Sequence, residues 1–149
     1  MDEPFGPAAD HAWLALATEL AALCPPSQTA YSVGAVIVDA NGTELARSYS
    51  READPHDHAE EGALRKTAAD LSGATIYSSL EPCGKRASRR YGCAELILAA
   101  GLARVVFAWR EPPRFSDRAG AELLRAAGVS VLELPELAEA ARRPNAHLL

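Results

Sequence analysis

Hydrophobic positions across residues 11–23 recur at helical spacing, with Leu14, Ala17, Leu20 and Ala21 falling on one side. Asp10 is placed to cap the start of this helix, and Pro25-Pro26 prevent its continuation. Residues 33–38 (Val-Gly-Ala-Val-Ile-Val) form a short apolar run rich in β-branched side chains, which predicts a strand. Asp39-Ala40-Asn41-Gly42 follows, and the Asn-Gly pair is a strong hairpin signal, so residues 43–50 are expected to return as an antiparallel neighbour.

Beyond a polar stretch, residues 58–69 read as a second helix ending near Ser72-Gly73, and residues 74–79 as a third strand. Residues 93–100 then read as a helix stopped by Gly101, and 104–108 as a strand. A further helix is expected over 117–127, stopped by Gly128, before a strand over 129–134, and Pro135 opens a short terminal helix. A helix, a hairpin and three helix-strand units build an α/β fold: a mixed five-stranded sheet with helices on its faces. In such sheets functional groups gather in loops beyond strand ends and at helix N-termini.

The length of 149 residues fits one domain spanning 1–149, and a chain this size buries roughly two-thirds of its unfolded surface without disulfide staples. No apolar stretch approaches the roughly 20 residues that span a bilayer. The first residues, Met1-Asp2-Glu3-Pro4, lack a signal peptide's basic region. A cytoplasmic protein without a membrane partner is therefore expected, in which Cys24, Cys83 and Cys93 stay reduced and serve metal binding, catalysis or burial. The net charge of -5 argues against a general nucleic-acid partner.

His58-Ala59-Glu60 opens a predicted helix, and Pro82-Cys83 through Cys93 follows the next strand, so His58, Cys83 and Cys93 are expected to converge. One imidazole and two thiolates suit zinc by softness, and three protein ligands leave a fourth position open for water, as in catalytic sites. Glu60, two residues after His58, is placed to reach such a water without coordinating the metal. Zinc lowers the pKa of water to about 7, and the carboxylate takes its proton and returns it to a leaving nitrogen. A closed structural site is the alternative, with His56 as a fourth ligand, although Pro55-His56-Asp57 reads as a solvated turn. Cys24 reads as an inert helix-end residue.

Between the two cysteines lie nine residues, and Lys85, Arg86, Arg89 and Arg90 place four of the chain's 15 basic side chains within six positions. In an acidic protein, a cationic loop tethered at both ends to the metal site attracts an anion, and Ser88 adds a donor suited to phosphate oxygens. A solvated loop, or one meeting an acidic subunit surface, is the plainer reading. Trp109 and Phe115 are placed either to cover a ligand or to serve as core or interface aromatics, and Tyr31-Ser32 stand similarly before the first strand.

His-x-Glu followed by Pro-Cys and a second Cys resembles the cytidine-deaminase-like superfamily, in which hydroxide attacks an amidine carbon and ammonia leaves. Within it the chain is similar to the pyrimidine deaminases of riboflavin biosynthesis, especially the fungal type. The likeness runs through Thr29-Ala30-Tyr31, Val33-Gly34-Ala35, Tyr49-Ser50-Arg51-Glu52, His58-Ala59-Glu60, Glu81-Pro82-Cys83 with Lys85-Arg86, and Glu111-Pro112 with Phe115. The resemblance implies a three-layer α/β/α fold, Zn2+ on His58, Cys83 and Cys93, and Glu60 as proton shuttle. It also implies an aminated pyrimidine substrate carrying a sugar phosphate, met by Lys85, Arg86, Ser88, Tyr31 and Glu111, and a homo-oligomer, dimer or tetramer. Deamination of another base, nucleoside or nucleotide, or a non-catalytic zinc scaffold, are the competing functions.

Overall fold

The computed structural model describes residues 6–84, 91–110, 112 and 120–149. In chain order it contains helix α1 (Pro7–Ala21), strands β1 (Gly34–Val38) and β2 (Glu44–Tyr49), helix α2 (Ala59–Arg65), strand β3 (Thr75–Leu80) and helix α3 (Cys93–Ala100). Strand β4 (Arg104–Trp109), helix α4 (Gly120–Ala126), strand β5 (Ser130–Glu133) and helix α5 (Ala138–Arg142) follow, the last flanked by 3-10 segments Pro135–Leu137 and Arg143–Leu148. Among the described residues no helix is long and apolar enough to cross a membrane.

The strand order is β2-β1-β3-β4-β5. β1 pairs antiparallel with β2 and β3, while β3–β4 and β4–β5 are parallel, so the sheet is mixed as the patterning predicts. Every residue of β1 and β3 is buried, which is why these strands read as near-continuous apolar runs. Edge strand β5 alternates between exposed and half-buried positions. Helices α1 and α5 pack together over β3 and β4, and α2, α3 and α4 form a second set, giving layers on both faces of the sheet. A Cβ on Gly34 would run into the carbonyl of Ala17, so glycine there lets α1 lie directly on β1.

Two helix boundaries differ by several residues from the sequence reading. Helix α1 begins at Pro7 behind Gly6, with proline at the first position, and Asp10 lies inside its first turn instead of capping it. Asp10 is 2% exposed and is held by tertiary partners: Tyr77 donates to its Oδ1 at 2.6 Å, and Arg104 donates at 2.8 Å to Oδ2 and 3.2 Å to Oδ1. Helix α2 stops at Arg65, well short of 69, because the Thr67 hydroxyl takes the Ala69 amide and Asp70 takes the Ser72 amide. Such local side-chain acceptors compete with the helical ladder. The turn glycines behave as read: Gly42, Gly101 and Gly128 adopt φ of 85°, 81° and 91°.

Candidate metal centre and cavity

Parallel strands β3 and β4 end side by side, with Leu80 opposite Trp109, and the Glu81 amide donates to the Trp109 carbonyl at 2.7 Å. The chain leaving β3 carries Cys83, buried at 4% exposure, and Cys93 opens α3 with no exposure. His58 is the N-cap of α2, and Glu61 ties that helix start by accepting the His58 amide at 3.3 Å. Asp57 just before it is buried and paired with both guanidinium nitrogens of Arg65, at 3.0 and 2.6 Å. Two helix N-termini and one strand end thus present their residues to a common point, where the helix dipoles favour negative charge.

At that point His58 Nδ1 lies 3.5 Å from Cys83 Sγ and 3.3 Å from Cys93 Sγ, and the three ligand atoms all fall within 4.8 Å of one another. The Cys93 amide donates to Cys83 Sγ at 3.2 Å, and the Ala94 amide to the Cys83 carbonyl at 3.0 Å. Hydrogen bonding from the Cys93 side chain, opposed by burial and helped by His58 and the Cys93 amide, pulls the Cys83 pKa down to about 4. One imidazole nitrogen and two buried sulfurs, one already favouring the thiolate, fit a zinc ion with a position left over. His56 is not among the converging residues: its amide donates to Asp54 Oδ1 at 2.8 Å in a polar turn, and the residue lines the neighbouring cavity. Cys24 also stands apart, its thiol directed at the Val33 carbonyl and its pKa raised by burial.

Glu60, in the first turn of α2 and 3% exposed, lines a cavity of about 660 Å³ together with His58 and Cys83. The segment before β1, including Ser27, Thr29 and Tyr31, also lines it, as do Leu80 and Glu81 at the end of β3. Tyr31 is therefore in the cavity wall, its ring edge-on to Trp109 with centroids 5.4 Å apart and planes at 73°. Lys85, Arg86, Ser88, Glu111 and Phe115 lie outside the described residues.

Two cavity residues drew no role from their local sequence pattern. Arg51 adopts a left-handed backbone, φ 62°, and its guanidinium donates to the carbonyls of Pro25 and Tyr31 and to Ser32 Oγ, pinning the Tyr31 wall. Burial lowers its pKa. Glu81 is buried, and its Oε2 accepts the Ala121 amide at 3.0 Å, fastening the start of α4 beside the site. Their signals were weak: a polar residue after a hairpin strand and an acidic residue between Leu80 and Pro82.

With this geometry in hand, the comparisons with known proteins converge. The profile described as cytidine and deoxycytidylate deaminase zinc-binding region matches residues 7–109. The chain is 41% identical over 115 residues to the diaminohydroxyphosphoribosylamino-pyrimidine deaminase of Schizosaccharomyces pombe, covering 74% of this chain and 28% of that protein. It is 39% identical over 101 residues to the riboflavin biosynthesis protein RibD of Escherichia coli, covering 67% and 26%. The solved structure of Acinetobacter baumannii RibD superimposes with a TM-score of 0.79 at 31% identity, covering 94% of this chain and 39% of that one. This chain thus spans between about a quarter and two-fifths of the length of these relatives. On the profile match, the relatives and the shared architecture, the chain belongs to the zinc-binding cytidine and deoxycytidylate deaminase family.

Proposed function

We propose that this protein hydrolytically removes an amino group from a pyrimidine ring, with zinc held by His58, Cys83 and Cys93 and with Glu60 as the proton carrier. The observation that carries this reading is the buried Glu60 carboxylate beside a three-donor cluster at one end of a cavity sized for a small ligand. A zinc ion bound there supplies Lewis acidity and brings the pKa of a water near neutrality. Glu60 accepts a proton from the attacking water and delivers it to the ring nitrogen; it then takes the remaining proton from the new hydroxyl on the ring carbon and passes it to the departing amine. Ring carbon gains oxygen, the carbon–nitrogen bond breaks, and ammonia leaves. Burial in the first turn of α2 restricts the side chain, and a positioned carboxylate is what general acid–base catalysis requires.

The substrate we assign is a diaminopyrimidinone bearing a sugar phosphate, supported by the name of the S. pombe relative, with the E. coli relative named for riboflavin biosynthesis. Lys85, Arg86 and Ser88 would receive the phosphate, Tyr31 would flank the ring, and Glu111 would also contact the substrate. A cytoplasmic homo-oligomer, dimer or tetramer, is part of the same reading, supported by family likeness. Ammonia release from zinc-loaded protein, measured on aminated pyrimidines with and without phosphate, tests it. Preference for the phosphorylated compound is expected. Equal turnover without phosphate would contradict the role of the basic loop, and no ammonia from any aminated pyrimidine would contradict deamination.

A further inference from the structure

We infer that Asn145 is a positioning residue for the substrate cavity: from the C-terminal 3-10 segment it fixes the backbone of Ser32, and so the Tyr31 wall, and thereby sets substrate affinity. This rests on reading the cavity as the substrate site. Asn145 has no exposure, and a buried amide is costly unless its polar atoms are paired. Here they are: Oδ1 accepts the Ser32 amide at 2.6 Å, while Nδ2 donates to the Ser32 carbonyl at 3.0 Å and the Ala141 carbonyl at 3.3 Å. The side chain therefore grips both backbone groups of a residue 113 positions away.

A second contact from the same segment acts on the same wall. His147 Nε2 donates to the Ser27 carbonyl at 2.7 Å, and the Ser27 hydroxyl in turn accepts the Thr29 and Ala30 amides at 3.1 Å. Residues 25–33 contain no helix or strand before Gly34, so their shape depends on such outside anchors. The metal cluster has its own supports in α2 and α3, among them the Glu61 carboxylate on the His58 amide and the Cys93 amide on Cys83 Sγ. Loss of the grip should thus change binding more than chemistry. The family profile ends at residue 109, so neither Asn145 nor His147 belongs to the shared motif.

The test uses the full zinc-loaded chain with Asn145→Ala, and His147→Ala as a second variant at an exposed position. Amide hydrogen exchange is measured without ligand, and kcat and KM are measured with the phosphorylated diaminopyrimidinone. Asn145→Ala is expected to speed exchange across residues 27–33 while residues 93–100 stay protected, with unchanged zinc content. KM should rise roughly tenfold, the scale of losing one to two net buried hydrogen bonds, with kcat within about twofold. His147→Ala should move the same quantities in the same direction by less, and it carries the test if Asn145→Ala does not fold. Unaltered exchange over 27–33 in both variants overturns the inference, as does uniformly faster exchange with kcat falling as far as KM rises. Absence of turnover in the unsubstituted protein would count against deamination, and the exchange measurement then decides the grip by itself.

Discussion

Replacing Asp10 with alanine should destabilise the fold by about 3–4 kcal/mol, because a buried tyrosine and a half-buried arginine depend on its carboxylate. The Tyr77 side chain has no exposure, and its hydroxyl donates to Asp10 at 2.6 Å; without that acceptor it should cost about 1–3 kcal/mol. Breaking a fully buried ion pair costs about 3–5 kcal/mol, but Arg104 keeps 19% of its side chain exposed and the Thr75 hydroxyl at 3.3 Å, so its share is smaller. The total is a large part of the roughly 5–15 kcal/mol that holds a domain together. Urea unfolding followed by far-ultraviolet dichroism should show the midpoint falling by about 2 M at unchanged slope. Asp10→Asn, which keeps an acceptor, should lose about half as much, and Tyr77→Phe with Asp10→Ala should cost less than the two changes summed. The metal site lies at the other end of β3, about 16 Å along the strand, so zinc content should not change. A loss below about 1 kcal/mol for Asp10→Ala, or strict additivity in the pair, would refute this reasoning.

Gly120→Ala should loosen the metal site, since a Cβ there would strike the Pro82 carbonyl next to Cys83 and backbone cannot rotate away. Zinc loss to a chelator should be easier by on the order of tenfold, and retention equal to the unsubstituted protein would contradict this. In zinc-stripped protein, thiolate absorbance at 240 nm should persist to acid pH and fade with a midpoint of about 4, and Cys83→Ser should remove that step. Because the folded Cys83 pKa lies below its unfolded value of 9.0, unfolding takes up a proton. The metal-free fold should therefore lose stability as pH falls from about 9 toward 4; stability independent of pH over that window would count against a native thiolate.

The sheet was legible because its signals are local: the unbroken apolar runs of β1 and β3, the Asn41-Gly42 turn, and the left-handed glycines that end α3 and α4. The convergence of His58, Cys83 and Cys93 was legible for a related reason, since each sits where a predicted strand ends or helix begins. Asp10 misled because an acidic residue before an apolar stripe looks the same whether it caps a helix or meets a guanidinium 94 residues away. Asn145 and Arg51 were hidden for the same physical cause: a buried polar side chain announces itself only through partners the chain brings from elsewhere. The truncation of α2 turned on Thr67 and Asp70, whose hydrogen bonds to nearby amides outweigh a helical pattern that continues on paper.

Glu60→Gln is the most direct probe of the catalytic reading, because glutamine keeps the size and burial of the side chain while removing its capacity to carry a proton. Zinc content and thermal stability should match the unsubstituted protein, and ammonia release from the phosphorylated diaminopyrimidinone should fall by about two to four orders of magnitude. Turnover within tenfold of the unsubstituted enzyme, with zinc in place, would contradict Glu60 as the proton carrier.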